Sequence, residues 1–457
     1  MTLILGGPRF TFAQEALNAN LVTEHADQSS GSSAQNQTPS PPAQTQNPPS
    51  ATVAQRTLDC RYAANPNKRR FRCKDEYFAW DETLTRDWNG LRDEAKVLGI
   101  TPTVSYYSAL QTNATGASHQ IWGYVGQLTA GVDLNFEKLL TIPGMSFYLS
   151  EYWGTGSNLT ATIGSVFPVT INYGVGSHLG EIYLQQKLVN NDLTLAAGRL
   201  AANYTFAGLP VFDNYMTAGI NATPQSLLVN DLSYVGPPPG LEWGAQAVYS
   251  ATPVVQIAAG LFNTNPNSAN NGNIFAFQQG NKGALLTAQL TYLHRQRSND
   301  SGKPGQYTAG FFEDTNDFAI LPVGHSRSNG NAGIFVLGQQ MVYQPEEAVT
   351  QGLTIWGAWA YSGKQSVSPM PVFGGAGLSY EGLFPQRKND VVSLGWLYGG
   401  TSDVIPSAAA AKLLEVNYQW VPKRYLRIFP DFQYLWRPTG RTTSDVAVFG
   451  VRLNLTF

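Results

Sequence analysis

The chain closes on AVFGVRLNLTF, Ala447–Phe457. Ala447, Phe449, Val451, Leu453, Leu455 and Phe457 fall on one side of an extended backbone. Val448, Gly450, Arg452, Asn454 and Thr456 fall on the other. Successive side chains of a strand point to opposite faces, so this period of two reads as a β-strand. Its apolar face is long and ends in aromatics. Its other face is polar but almost uncharged.

The pattern recurs upstream. In 121–135, Trp122, Tyr124, Leu128, Ala130, Val132 and Leu134 oppose Gln127, Thr129, Asp133 and Asn135. In 241–249, Trp243, Ala245, Ala247 and Tyr249 oppose Glu242 and Gln246. In 413–420, Leu414, Val416, Tyr418 and Trp420 oppose Glu415, Asn417 and Gln419. In 425–436, Leu426, Ile428, Phe432, Tyr434 and Trp436 oppose Arg427, Asp431 and Gln433.

A soluble sandwich also alternates, so composition has to decide. Charged residues are 13% and aromatics 12% of 457 residues. A soluble domain carries roughly 25% charge. No apolar run approaches the ~18 residues of a spanning helix. The longest candidate, Ile405 to Val416, is broken by Pro406, Ser407, Lys412 and Glu415. Low charge, many aromatics and alternating strands point to an all-β fold, a transmembrane antiparallel barrel. The net charge of -2 gives no basic field for nucleic acid.

Strands are expected near 101–110, 121–135, 146–153, 179–188, 193–201, 241–250, 254–263 and 284–293. Eight more fall near 305–314, 332–343, 352–361, 373–381, 390–399, 411–420, 425–436 and 445–457, sixteen in all. The third, tenth and twelfth alternate poorly. Connections alternate in length: Asn190-Asn191-Asp192, Thr252-Pro253 and Pro422-Lys423-Arg424 are short, whereas 202–240 is long and rich in Pro and Gly. Short turns on one rim and long loops on the other are a porin asymmetry, which puts both termini on the short-turn, periplasmic side.

Ahead of the barrel (101–457), residues 1–26 read as a leader of unclear type, shorter than a convincing signal peptide. Residues 27–56 are low-complexity Ser, Gln, Asn, Thr, Pro and Ala, a disordered linker. The segment 57–100 holds Cys60 and Cys73, read as a disulfide of an oxidising compartment, with two free thiols as the alternative. It also holds a helix over 81–98, with Trp88, Leu91, Ala95 and Leu98 on one face and Gly99 as its cap. That helix either plugs the lumen or lies at the rim.

Three patches resemble the carbohydrate-selective porins of the OprB type. They are WNGLRDEAKVLGI (Trp88–Ile100), LGEIYLQQKLVNNDLTLAAGRLAANYTF (Leu179–Phe206) and the closing strand ending in Phe457. Ala201, Ala202 and Asn203 stand where the family often carries an acidic residue after Gly-Arg-Leu. The resemblance implies passive, selective diffusion of sugars such as glucose across a bacterial outer membrane into the periplasm. It also implies Phe457 as the signal read by the barrel assembly machinery, with outer-membrane lipid and lipopolysaccharide as surroundings. A homotrimer and a monomer both stay open. A general porin on the same barrel and a secreted β-rich adhesin are the competing readings.

A sugar entering a constriction sheds water, and the wall must replace those hydrogen bonds. Candidates by phase are Asp133, Glu181, Gln185, Glu242, Glu415, Arg427, Asp431 and Arg452, together with Gln246, Asn417 and Gln433. Arg199 is expected at the pore only if a bulge or a rim position offsets its lipid-side phase. Phe206, Phe212, Asp213, Asn214 and Tyr215 would narrow the channel if 202–240 folds inward. Trp356 is a lumen candidate for stacking. No nucleophile motif, phosphate loop or metal-ligand spacing among His25, His119, His178, His294 and His325 suggests an enzyme, a cofactor or a metal.

Overall fold

The computed structural model describes residues 83–116, 119–171, 175–190, 192–221, 223–230, 241–264, 283–296, 302–322, 326–345 and 351–457. The leader, the linker and the Cys60 and Cys73 pair lie outside these residues.

Sixteen strands close into one antiparallel barrel. They are β1 (Ile100–Asn113), β2 (Trp122–Asn135), β3 (Met145–Ser157), β4 (Gly176–Leu188), β5 (Leu193–Leu200), β6 (Glu242–Thr252), β7 (Val255–Asn263) and β8 (Ala284–His294). They continue as β9 (Gly305–Ala319), β10 (Arg327–Tyr343), β11 (Gly352–Ser362), β12 (Val372–Glu381), β13 (Val391–Gly400), β14 (Ala411–Lys423), β15 (Leu426–Trp436) and β16 (Val446–Thr456). Each strand pairs with its sequence neighbours, and β1 pairs with β16 from Ser105↔Thr456 to Asn113↔Val448. Closure leaves no strand edge unpaired, which a lipid environment demands.

All sixteen expected strands are present, several of them longer toward the long-loop rim. β9 continues to Ala319 and β10 begins at Arg327. The poor alternation of three strands has physical causes. β3 meets β4 across a bulge between Leu149 and Glu151. β10 shifts register at Asn329/Asn331 and at Met341/Tyr343. β12 carries glycine on both faces, at Gly374, Gly375 and Gly377.

The outward rows are apolar and exposed, as at Leu128, Ile257, Leu290, Val336 and Val451. Aromatics border them. Trp122, Trp153, Trp359, Trp396 and Trp436 sit toward the long-loop rim. Tyr249, Tyr292, Tyr307, Tyr343 and Trp420 sit toward the short turns. Two aromatic belts flanking an apolar band match the two interfaces of a bilayer.

The expected helix is shorter than 81–98. A 3-10 turn, Trp88–Gly90, precedes helix α1, Leu91–Leu98. Arg86, Trp88 and Asn89 have positive φ, so no α-helix can run through them. Gly99, at φ 96, ends α1 in a left-handed conformation that glycine adopts without a Cβ clash. The segment lies at the short-turn rim rather than in the lumen. Leu84 N donates to Thr456 O at 2.8 Å, and Arg92 Nη2 donates to Phe457 O at 2.8 Å. Lys138 Nζ of the β2–β3 connection donates to Lys96 O at 2.9 Å.

The apolar core sits inside the barrel. It joins inward wall residues such as Phe262, Phe335 and Leu413 to two segments that leave the rim and fold into the lumen. One is the β3–β4 connection from Leu159 to Ile171; the other is the β5–β6 connection from Ala201 to Asn230. Phe167, Phe206, Tyr215 and Leu227 are each 0% exposed.

Candidate functional site

The longer inward segment starts at a fixed root. Gly198, at φ +148, breaks the alternation of β5. Its ideal Cβ would lie 2.2 Å from Ile182 O, so no other residue fits there without a shift. Arg199 pairs with Ile182 and Trp243, positions of lipid phase, yet its side chain is buried. Its Nη1 donates to Leu179 O at 2.6 Å and its Nε to Leu241 O at 3.4 Å. Both partners flank the root. Glu181 and Glu242 are buried beside it. Glu181 Oε1 accepts from Ala201 N at 3.4 Å, where the chain turns inward.

From that root the segment crosses the lumen and is tied to one strand after another. Ala207 N donates to Gln289 Oε1 of β8 at 2.9 Å, and Gln289 Nε2 returns a bond to Thr205 O at 2.9 Å. Val211 N donates to Gln339 Oε1 of β10 at 2.9 Å. Tyr215 is the central fastening. Its hydroxyl accepts from Trp356 Nε1 at 2.7 Å and reaches the carbonyls of Leu378 at 2.9 Å and Leu394 at 3.0 Å. Glu415 of β14 accepts from Met216 N at 2.6 Å and Thr217 N at 2.9 Å. Arg452 of β16 donates Nη1 to Tyr215 O at 2.7 Å. The segment ends at Asn230, whose side chain binds Ser362 Oγ and Met370 O.

The wall clears space for these groups. A Cβ at Gly395 would meet the Tyr215 ring at 2.7 Å and Ile220 at 2.5 Å. One at Gly377 would meet Trp356 Nε1 at 2.7 Å. These inward glycines are contact surfaces for the segment.

The β3–β4 segment packs beneath. Val169 O accepts from Gln111 Nε2 at 3.0 Å and Gln433 Nε2 at 2.7 Å. Pro168 O accepts from Thr217 Oγ1 at 2.6 Å and Ala218 N at 3.0 Å. The two inward segments thus brace each other. Period-two reading missed this second segment, because 158–171 has no alternation and Pro168 resembles the proline of an ordinary loop.

The pore candidates divide into three groups. Arg199, Glu181 and Glu242 cluster at the root. Glu415, Asp431 and Arg452 cluster on β14–β16, with Asn417, Gln433 and Asn454 among them; Gln433 Nε2 donates to Asp431 Oδ2 at 2.8 Å. The Arg452 guanidinium lies 4.2 Å from the centre of the Phe429 ring and 5.2 Å from that of Tyr107. Such stacking compensates a cation removed from water. The third group stays partly exposed to the lumen: Asp133 on β2, Gln185 on β4, Gln246 on β6 and Arg427 on β15. Trp356 is only 5% exposed and packs edge-on against Phe212 and Tyr215, which makes it an anchor for the segment.

At the inner edge of the segment, Asp213 and Asn214 remain half-buried at the end of the turn Pro210–Asn214. Enclosure pushes the Asp213 carboxyl up to about 6, while the positive charges of Arg452 and Arg427 pull it back. The segment therefore sets Asp213 near a wall that carries both Arg427 and Arg452 and the carboxyl groups of Glu415 and Asp431. Such a wall offers both acceptors and donors to a neutral polyhydroxylated solute, and a water shell can be exchanged there without a large charge penalty.

A family model described as carbohydrate-selective porin, OprB family, matches residues 119–457. The high-pH structure of Pseudomonas putida OprB superposes with a TM-score of 0.75 at 20% identity, covering 83% of this chain and 99% of that chain. The low-pH structure of the same protein gives 0.55 at 18% identity, with coverage of 83% and 99%. At such identities the likeness speaks for the fold. A comparison with curated protein sequences finds no match. With three quarters of its length matched by the family and its fold matched by a solved member, the chain belongs to the carbohydrate-selective porin family of the OprB type and is an outer-membrane carbohydrate channel.

Proposed function

We infer that the chain lets monosaccharides such as glucose diffuse passively into the periplasm, with both termini on the periplasmic side. The observation that carries this reading is the polar edge left between the inward segment and the wall. There Asp213 lies in the positive field of Arg452 and Arg427, and Asn214 follows it in the chain. Carboxylate, amide and guanidinium groups replace the water that a sugar sheds. Asp213, Asn214 and Arg427 stay partly exposed, which keeps binding weak enough for release, as transport requires. The short turns share one rim with the start of β1 and the end of β16, the arrangement of barrels whose termini face the periplasm. Arg199, Glu181 and Glu242 serve the site by holding the root of the constricting segment. Phe457, whose N–H donates to Val104 O at 2.9 Å, closes the seam between first and last strands and is read by the assembly machinery. A liposome-swelling assay with a sugar panel tests this function. Hexoses should enter faster than disaccharides, and entry rates that ignore sugar size up to a trisaccharide would refute a selective constriction.

A further inference from the structure

A surface cleft of about 340 Å³ opens on the lipid side of β13–β15, lined by Trp396, Ala410, Lys412, Trp436, Arg437 and Asp445. Its direction follows from alternation. Ala411 and Leu413 are each 0% exposed and face inward, so Lys412 between them faces out. Lys412 pairs with Tyr398 on one side and Trp436 on the other. One row nearer the membrane centre come Trp396, Leu414 and Tyr434. Lys412 therefore sits level with Tyr398 and Trp436 at the outer edge of the aromatic belt, and Arg437 follows Trp436 toward the long-loop rim, where lipid headgroups begin.

Both are free to bind. Among the described residues neither Lys412 nor Arg437 makes an ion pair, and both are exposed. Asp445, the one acidic group in the cleft, is already engaged. It accepts from Arg437 N at 3.1 Å and from Tyr434 OH at 3.3 Å. The cleft keeps a net positive charge in a chain with little charge to spare. A lysine and an arginine at the membrane interface, beside Trp436 and one row beyond Trp396, match an anionic phosphate carried on an acylated body. The acyl chains would lie along Trp396 and Trp436, and the phosphate between the two cations.

The geometry points to a binding site for a phosphorylated lipid headgroup at Lys412 and Arg437, occupied by the lipid A phosphate of lipopolysaccharide. The choice of lipid A rests on the orientation proposed above, which puts the long-loop rim in the outer leaflet. Phosphate recognition itself does not depend on it.

The test uses the full chain in detergent and native mass spectrometry. The probes are bisphosphorylated lipid A, the same lipid without phosphates, and phosphatidylglycerol. Wild-type protein should retain bisphosphorylated lipid A at least tenfold better than either other lipid. Lys412→Gln with Arg437→Gln should remove that preference. Each single change should weaken it severalfold, and Lys388→Gln, on the opposite rim, should leave it intact. Heat-modifiable gel mobility and unchanged conductance show that the variants are folded channels. Equal retention of lipid A by wild type and the double variant would overturn the site. Indifference to the phosphates would do so too, and phosphatidylglycerol held as tightly as lipid A would overturn the assigned occupant. None of these outcomes depends on sugar passage, so failure here is distinct from failure of the sugar-channel reading.

Discussion

The indole N–H of Trp356 donates to the Tyr215 hydroxyl at 2.7 Å, joining the wall of β11 to the segment that crosses the lumen. The same hydroxyl reaches Leu378 O and Leu394 O on β12 and β13, so one oxygen binds three strands. Tyr215→Phe leaves the buried indole N–H without its acceptor, at roughly 1–3 kcal/mol. The segment should then move, and single-channel recordings should show a larger, noisier open current. Trp356→Phe should act in the same direction. An open current with wild-type amplitude and noise in both variants would mean that the fastening does not set the pore.

Glu415 accepts two consecutive backbone N–H groups, from Met216 and Thr217. Both donors are buried, and alanine at 415 would strand them at about 1–3 kcal/mol each. Glu415→Ala should lower the temperature at which the folded barrel band disappears on gels, and Glu415→Gln should lower it less. A melting band that does not shift in the alanine variant would contradict this assignment.

Asp213 is the tip whose charge responds to mild acid. Its carboxyl, raised to about 6 by enclosure, is negative above that value and neutral below it. Reversal-potential measurements should therefore show cation preference falling as pH drops from about 7.5 to about 5, the usual carboxylate range lying lower at about 3.9. Asp213→Asn should remove the step near pH 6 and show the low-pH selectivity throughout. A step of the same size in that variant would assign the titration elsewhere.

The barrel was legible because lipid and lumen impose opposite chemistry on alternate residues, so each strand carries its own label. Even the poor alternation of β3, β10 and β12 marked bulges and a glycine-rich wall. The inward β5–β6 segment was less legible. Phe206, Phe212 and Tyr215 sit in a Pro- and Gly-rich stretch without a period, and nothing local says which way it folds. Its receptors look like ordinary lumen polarity: Gln289, Gln339 and Glu415 acquire their roles from residues 82 to 199 positions away. Arg199 shows the limit of phase most clearly. The positive φ of Gly198 redirects its side chain, and φ cannot be read from alternation.

At the seam, Phe457 N donates to Val104 O, while Arg92 Nη2 holds Phe457 O at 2.8 Å. Phe457→Ala should reduce the heat-modifiable barrel recovered from outer membranes, because the closing strand loses its terminal aromatic. Arg92→Ala should leave assembly near normal but lower thermal resistance. Normal barrel levels in the Phe457 variant would contradict an assembly role.

Planar-bilayer conductance in salt with added sugar probes whether the lumen accepts a sugar. Single-channel current should fall saturably as glucose is titrated into the millimolar range, and Asp213→Asn should weaken that block. A current that stays constant through high millimolar glucose, and through a panel of other sugars, would contradict the account.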